Sequence, residues 1–329
     1  MTGRTGAACL AAAAGLAMTL AGLPAAQADD HMGVKVTPLG SHEGEFCQLD
    51  RALIFEDPDG TRILYDAGRT VAGPDDPRLG KIDVVLLSHM HGDHFGDRHI
   101  GAVKQGACGD LAFPVAATPN SNTLDIVKAK GAKLIAGSEM PGFLGPKLAA
   151  MGGNKDDVQL ARFGAERQVG GVKIATVPAV HSNGLSGHFI DGDMGKMLND
   201  AGLTAYVGPP TGYVLTFSNG LVAYLSGDTG VTAEQETVVN RQYGAELAVL
   251  NIGGTFTTGP VEAAFVVNEL VKPKSVIASH ANEPATEGGK VKPGTKTDTF
   301  IKAAKMPVHV PLSGRTMTFD ADGTCTKGC

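Results

Sequence analysis

Ser88-His89-Met90-His91-Gly92-Asp93-His94 is the stretch on which the reading of this chain turns. It directly follows the apolar run Val84–Leu87, which predicts a buried strand, so its side chains emerge from a strand end into a loop. Three imidazoles and one carboxylate within six residues make a dense set of donors. Neutral imidazole and carboxylate are borderline-hard ligands that suit first-row divalent ions. Crowding such groups together without an ion would be a poor choice for stability alone.

Outward from this turn, short β-branched runs bounded by Gly, Pro or Asp predict further strands: Val34–Leu39, Leu49–Phe55, Arg62–Tyr65, Val172–Val177, Tyr213–Phe217, Leu221–Leu225, Leu247–Ile252 and Ser275–Ala278. Ser218-Asn219-Gly220 reads as a hairpin turn between two of them. Helical patterns cover Ser121–Lys130, Ala233–Tyr243, Val261–Leu270 and Thr295–Lys305. Strands come in meanders early and alternate with helices later, which predicts a layered α/β domain with sheets packed together and helices outside. Three more metal donors stand just past predicted strands: His181, Asp228 and His280. The Gly- and Asp-rich stretch Ser182–Pro210, periodic only around Met194–Ala201, reads equally well as a lid or a surface insertion.

The 329 residues carry a net charge of −6, with 43% hydrophobic and 19% charged residues, ordinary for a chain that buries a real core. No basic field is available to gather phosphates, so nucleic acid is not an expected partner. Residues 1–28 read as a cleaved export signal, with Arg4, an apolar run from Gly6 to Leu23, Pro24 and the small-x-small site Ala26-Gln27-Ala28. That leaves residues 29–329 as one domain, periplasmic or secreted, with no stable membrane anchor and an oligomeric state the sequence leaves open. Cys47, Cys108, Cys325 and Cys329 then permit two disulfides in three connectivities, or four free thiols. None has Cys-x-x-Cys spacing. His31, His42, His99 and His309 lack a ligand context and read as surface or packing residues.

His89-Met90-His91-Gly92-Asp93-His94 resembles the H-x-H-x-D-H signature of the metallo-β-lactamase-fold hydrolase superfamily, and His181, Asp228 and His280 follow in the family's order. Tyr65-Asp66-Ala67-Gly68 is similar to the family's early D-x-G element. Pro210-Thr211-Gly212-Tyr213 and Ile252-Gly253-Gly254-Thr255-Phe256-Thr257 resemble the branch of ascorbate-lactonase-like and uncharacterised metal-dependent hydrolases. The resemblance implies a four-layer αββα sandwich. It also implies two divalent ions, Zn²⁺ first, with Mn²⁺ or Fe²⁺ as alternatives. His89, His91 and His181 would hold one ion, and Asp93, His94 and His280 the other. Asp228 would bridge them, with Asp93 and Asp228 as the catalytic carboxylates and a metal-bound hydroxide attacking a small ester, lactone, amide or phosphodiester.

Asp66 reads as orienting a ligand histidine. Asp97 reads as a helix cap or a support for His94. Asn183, His188, Tyr206 and Thr255 are placed to reach substrate oxygens. True metallo-β-lactamases carry Cys or Ser where Asp228 stands. The competing readings are an iron-dependent sulfur oxygenase of the same fold and a metal-binding protein without turnover. A serine hydrolase is disfavoured by the absence of G-x-S-x-G.

Overall fold

A strand covered on both faces must be apolar at every position, and Val84–Leu87 is buried throughout. The computed structural model, which describes residues 1–3 and 32–329, shows what covers it. Beyond its third position, the expected export segment of residues 1–28 lies outside the described residues.

The first sheet begins with β1 (Val34–Pro38), β2 (Leu53–Glu56), β3 (Arg62–Tyr65), β4 (Val84–Leu87), β5 (Lys133–Ala136) and β6 (Val158–Leu160). The second holds β7 (Glu166–Val169), β8 (Val172–Pro178), β9 (Thr211–Thr216), β10 (Val222–Leu225), β11 (Leu247–Asn251), β12 (Ser275–Ser279) and β13 (Val308–His309). The chain then returns to the first sheet with β14 (Met317–Phe319) and β15 (Cys325–Lys327). The orders are β6-β5-β4-β3-β2-β1-β14-β15 and β7-β8-β9-β10-β11-β12-β13.

Alternation along each strand divides the side chains between two interfaces. In β3, Ile63 and Tyr65 point between the sheets, where they meet Ile174, Leu215, Leu225 and Val249 of the second sheet. Leu64 points outward with Val85, Leu87 and Leu134, and packs against α2 (Asn122–Lys130) and α3 (Met140–Ala150) through Leu124, Val127, Leu144 and Leu148. On the far side, Val177, Leu250 and Ala278 face α5 (Pro260–Phe265) and α6 (Lys296–Ala303) through Ala263 and Phe300. Two further short helices are α1 (Gly92–Phe95) and α4 (Asp193–Ala201). The layers are therefore helix, sheet, sheet, helix, as expected.

Strand direction places the chemistry. β3, β4 and β5 run parallel, and so do β10, β11 and β12. β8 is antiparallel to β9, which is antiparallel to β10, so β8, β10, β11 and β12 all end at one rim. Tyr213 of β9 ties the two sheets just below that rim. Its hydroxyl lies 2.7 Å from the Leu87 carbonyl and 3.0 Å from the Ile135 carbonyl, both on the first sheet.

Several expectations are corrected. The strand expected over Leu49–Phe55 begins only at Leu53, because Asp50 turns back to accept the Ser41 and Cys47 amides and Arg51 reaches toward Asp93. The helix expected over Ala233–Tyr243 shrinks to one wide turn, Gln235–Asn240. α3 was not foreseen, since its Pro141, Gly142, Gly145 and Pro146 read as breakers. Ser182–Pro210 is structured: Gly184–Ser186 pairs with Thr204–Tyr206 around α4. Phe189 anchors it, its ring 4.9 Å from that of Phe95.

Disulfides join Cys47 to Cys108, 61 residues apart, and Cys325 to Cys329, 4 apart. Loop-closure entropy predicts that Cys47→Ser/Cys108→Ser loses about 4 kcal/mol of stability, against about 2 kcal/mol for Cys325→Ser/Cys329→Ser. Urea titration of the two double variants measures the difference. Equal losses would contradict an entropic role for the long cross-link.

Candidate metal centre

The centre grows out of a knot between the ends of β3 and β4. Asp66, just past β3, has left-handed backbone (φ 42°), a conformation that costs about 1–3 kcal/mol for a residue with a Cβ. Its buried carboxylate accepts the Ser88 amide at 2.8 Å and the Ser88 hydroxyl at 2.7 Å. The same carboxylate lies 2.8 Å from His94 Nδ1, which turns His94 Nε2 toward the cavity. Ser88 Oγ also lies 2.9 Å from His89 Nδ1. α1 then carries the chain round in a single turn, closed by left-handed Gly96, so His91, Asp93 and His94 return to face His89. Gly68 (φ 54°) makes room: a Cβ there would stand 2.3 Å from the Asp93 carbonyl.

The second sheet supplies the opposite wall. His181 follows β8, Asp228 follows β10 and His280 follows β12 at the shared rim. His89 Nε2 lies 3.0 Å from His91 Nδ1, which is 3.3 Å from His181 Nε2. One oxygen of Asp228 lies 3.0 Å from His280 Nε2, 3.4 Å from His94 Nε2, and 3.7 Å from both His89 Nε2 and His181 Nε2. Asp93 Oδ2 stands 3.5 Å from His280 Nε2 and 3.6 Å from His94 Nε2. Donor atoms of His89, His91 and His181 lie within 4.8 Å of one another, as do those of Asp93, His94 and His280, and those of His89, His94 and Asp228.

Protonation in this cluster is polarised. Burial, reinforced by His94, pushes His89 well below the ordinary imidazole value. Burial and the neighbouring His181 bring His91 down to about 4, and burial lowers His181 as well. Burial also opposes charge on His94, but Asp228, Asp93 and Asp66 outweigh it and raise that ring. Burial alone would raise both carboxyls; instead His280 and His94 hold Asp228 well below the carboxylate range, and His94, His280 and Arg51 do the same for Asp93. The buried atoms His94 Nε2, His280 Nε2 and Asp228 Oδ1 have no hydrogen-bond partner within the protein. Buried polar atoms normally find one. Orphaned donors of metal-ligand type, aimed at a common cavity, fit divalent cations.

Sequence reasoning missed Arg51. It is buried, with Nε and Nη2 at 3.2 and 3.1 Å from Asp93 Oδ2, and Nη2 at 2.7 Å from Asn282 Oδ1. Its place in an apparent strand carried no signal. Lys296 and Arg69 were also missed, and both border the cleft of about 530 Å³ above the centre.

Thr255 and Ser182 line the same cleft. Asn183 does not: it is buried, and its Oδ1 accepts the Met90 amide at 2.9 Å, so it braces the histidine turn. His188 lines a neighbouring hollow instead, and Tyr206 is 73% exposed on its hairpin. Asp97 neither caps a helix nor touches His94, because Arg69 holds its carboxylate at 2.6 and 3.0 Å.

A family profile described as a beta-lactamase superfamily domain matches residues 61–281, from β3 to the residue after His280. The chain belongs to the beta-lactamase superfamily. Its relatives there carry the name UPF0173 metal-dependent hydrolase, and it is a metal-dependent hydrolase of that fold. The protein of Thermococcus onnurineus is 32% identical over 234 residues, covering 69% of this chain and 80% of the relative. That of Cupriavidus metallidurans is 30% identical over 207 residues, covering 61% of this chain and 58% of the relative. Igni18, a metallo hydrolase of Ignicoccus hospitalis, superposes with a TM-score of 0.57 at 23% identity, covering 88% of this chain and 99% of its own, a likeness of fold.

Asp66→Ala frees His94 and Ser88 together. It is expected to weaken metal binding by about 10–100-fold while leaving the far-ultraviolet circular dichroism unchanged. Competition against a chromophoric zinc chelator reads this directly, and an unaltered affinity would remove Asp66 from the site's design.

Proposed function

We propose that this superfamily member is an exported hydrolase with a two-ion centre. Its substrates are small esters, lactones, amides or phosphodiesters. The observation that carries the reading is the sorting of seven donors into two triads with Asp228 within reach of both. His89, His91 and His181 would hold one ion, Asp93, His94 and His280 the other, and Asp228 both. Imidazole and carboxylate favour Zn²⁺, with Mn²⁺ and Fe²⁺ compatible with the same donors. Divalent ions held there would supply Lewis acidity and bring a bound water toward a pKa of about 7.

The chain's own residues do the rest. Asp228 and Asp93 stay ionised next to their histidines, which lets them balance two dications within one cavity. Neutral His91 and His181 keep lone pairs available. Ser88 and Asp66 fix the rings so that little reorganisation is needed when substrate arrives. Arg51 steadies Asp93 from behind, while Thr255, Ser182 and Lys296 offer polar contacts at the cleft mouth. Seven donors in one place favour hydrolysis over a mononuclear iron oxygenase, which would use fewer. Export is supported by the apolar leader and by two disulfides, which persist in oxidising compartments.

Elemental analysis should find two divalent ions per chain. Asp228→Ala should lose at least one of them, and at least about a hundred-fold of turnover on whichever lactone, ester or phosphodiester the wild type cleaves. One iron per chain with oxygen uptake, or turnover untouched by Asp228→Ala, would overturn the mechanism.

Mass spectrometry of protein secreted by a bacterial host should give a chain starting at Asp29. A retained Met1 would contradict cleavage.

A further inference from the structure

Far along the sequence from the histidine turn, a different donor set comes together. His309 on β13, at the edge of the second sheet, lies beside Cys325 of β15, at the edge of the first, and beside Cys329. A ring nitrogen of His309 and the sulfurs of both cysteines fall within 4.8 Å of one another. His309 Nε2 is buried with no hydrogen-bond partner, and the ring sits edge-on to Phe319 at 5.4 Å between centroids. Arg315 Nη2 donates to the Cys329 carbonyl at 2.9 Å, which anchors the backbone of the residue that carries the second sulfur.

His309 and Cys325 open onto a hollow of about 620 Å³, bordered also by Lys272, Lys274 and Lys305, the last paired with Glu269 at 2.8 Å. That hollow shares no lining residue with the cleft above the main centre.

We propose that His309, Cys325 and Cys329 form a further metal site, which takes a thiophilic cation such as Zn²⁺ or Cu⁺ when the Cys325–Cys329 bond is reduced. Thiolate donors select such ions. Opening the bond takes two electrons and two protons from a dithiol, which closes to a disulfide in turn. Binding then releases the two thiol protons as the sulfurs become thiolate ligands. The closed disulfide offers no thiolate, so the oxidised chain lacks the site. Ligand availability at this edge is thereby set by redox state, while the main centre, made of nitrogen and oxygen donors, is indifferent to it.

Co²⁺ is the probe, because its thiolate complexes absorb in the near ultraviolet and its His/Asp complexes do not. Full-length protein is reduced with a phosphine, desalted without oxygen and titrated. Reduced wild type should develop a thiolate-to-cobalt band whose final intensity corresponds to one thiolate-bound ion per chain, and oxidised wild type should show none. Cys325→Ser/Cys329→Ser, which keeps Cys47 and Cys108, should lack the band, and His309→Ala should bind at least about ten-fold more weakly. The proposal falls if reduced wild type shows no band, if the double variant keeps it, or if His309→Ala binds with unchanged affinity.

Discussion

One carboxylate oxygen, on Asp228, lies within 3.0 to 3.7 Å of four imidazole nitrogens. The carboxyl is 3% exposed, and an ionised group at that depth persists only where positive charge compensates it. Two halves of the fold must meet for that to happen, because His89 and His94 come from the first sheet's rim and His181 and His280 from the second's. The inter-sheet core, with Tyr213 reaching across to Leu87 and Ile135, is what brings them into register.

Much of this could be read from the sequence. The histidine turn announced itself because its donors are local, and the strand before it is apolar at every position. His181, Asp228 and His280 were legible one step less directly, as donors placed just after β-branched runs. The layered architecture followed from alternating elements. What stayed hidden was long-range and side-chain specific. Arg51 sat inside an apparent strand, and only the folded chain puts its guanidinium against Asp93, 42 positions away. Asn183 looked like a polar loop residue free to meet substrate; its partner, the Met90 amide, is 93 positions away. α3 was hidden by prolines and glycines, since its apolar face on the first sheet outweighs poor propensity.

Half of the non-glycine residues with left-handed backbone among the described residues stand at the rim. Asp66, Thr255, His280 and Asn282 all hold left-handed φ values between 42° and 56° without being glycine. Such conformations persist when surrounding contacts over-determine them. Asp66 has Ser88 and His94, and Asn282 has Arg51. These contacts tie the rim backbone to the side chains that surround the donors.

Because the two triads each draw on both sheets, neither exists in a chain whose sheets have separated. Affinity for ions at the rim is therefore folding free energy under another name. A core substitution as remote as Phe55 or Leu215 taxes loading as well as stability, and a well-supplied environment becomes a thermodynamic chaperone for the whole sandwich.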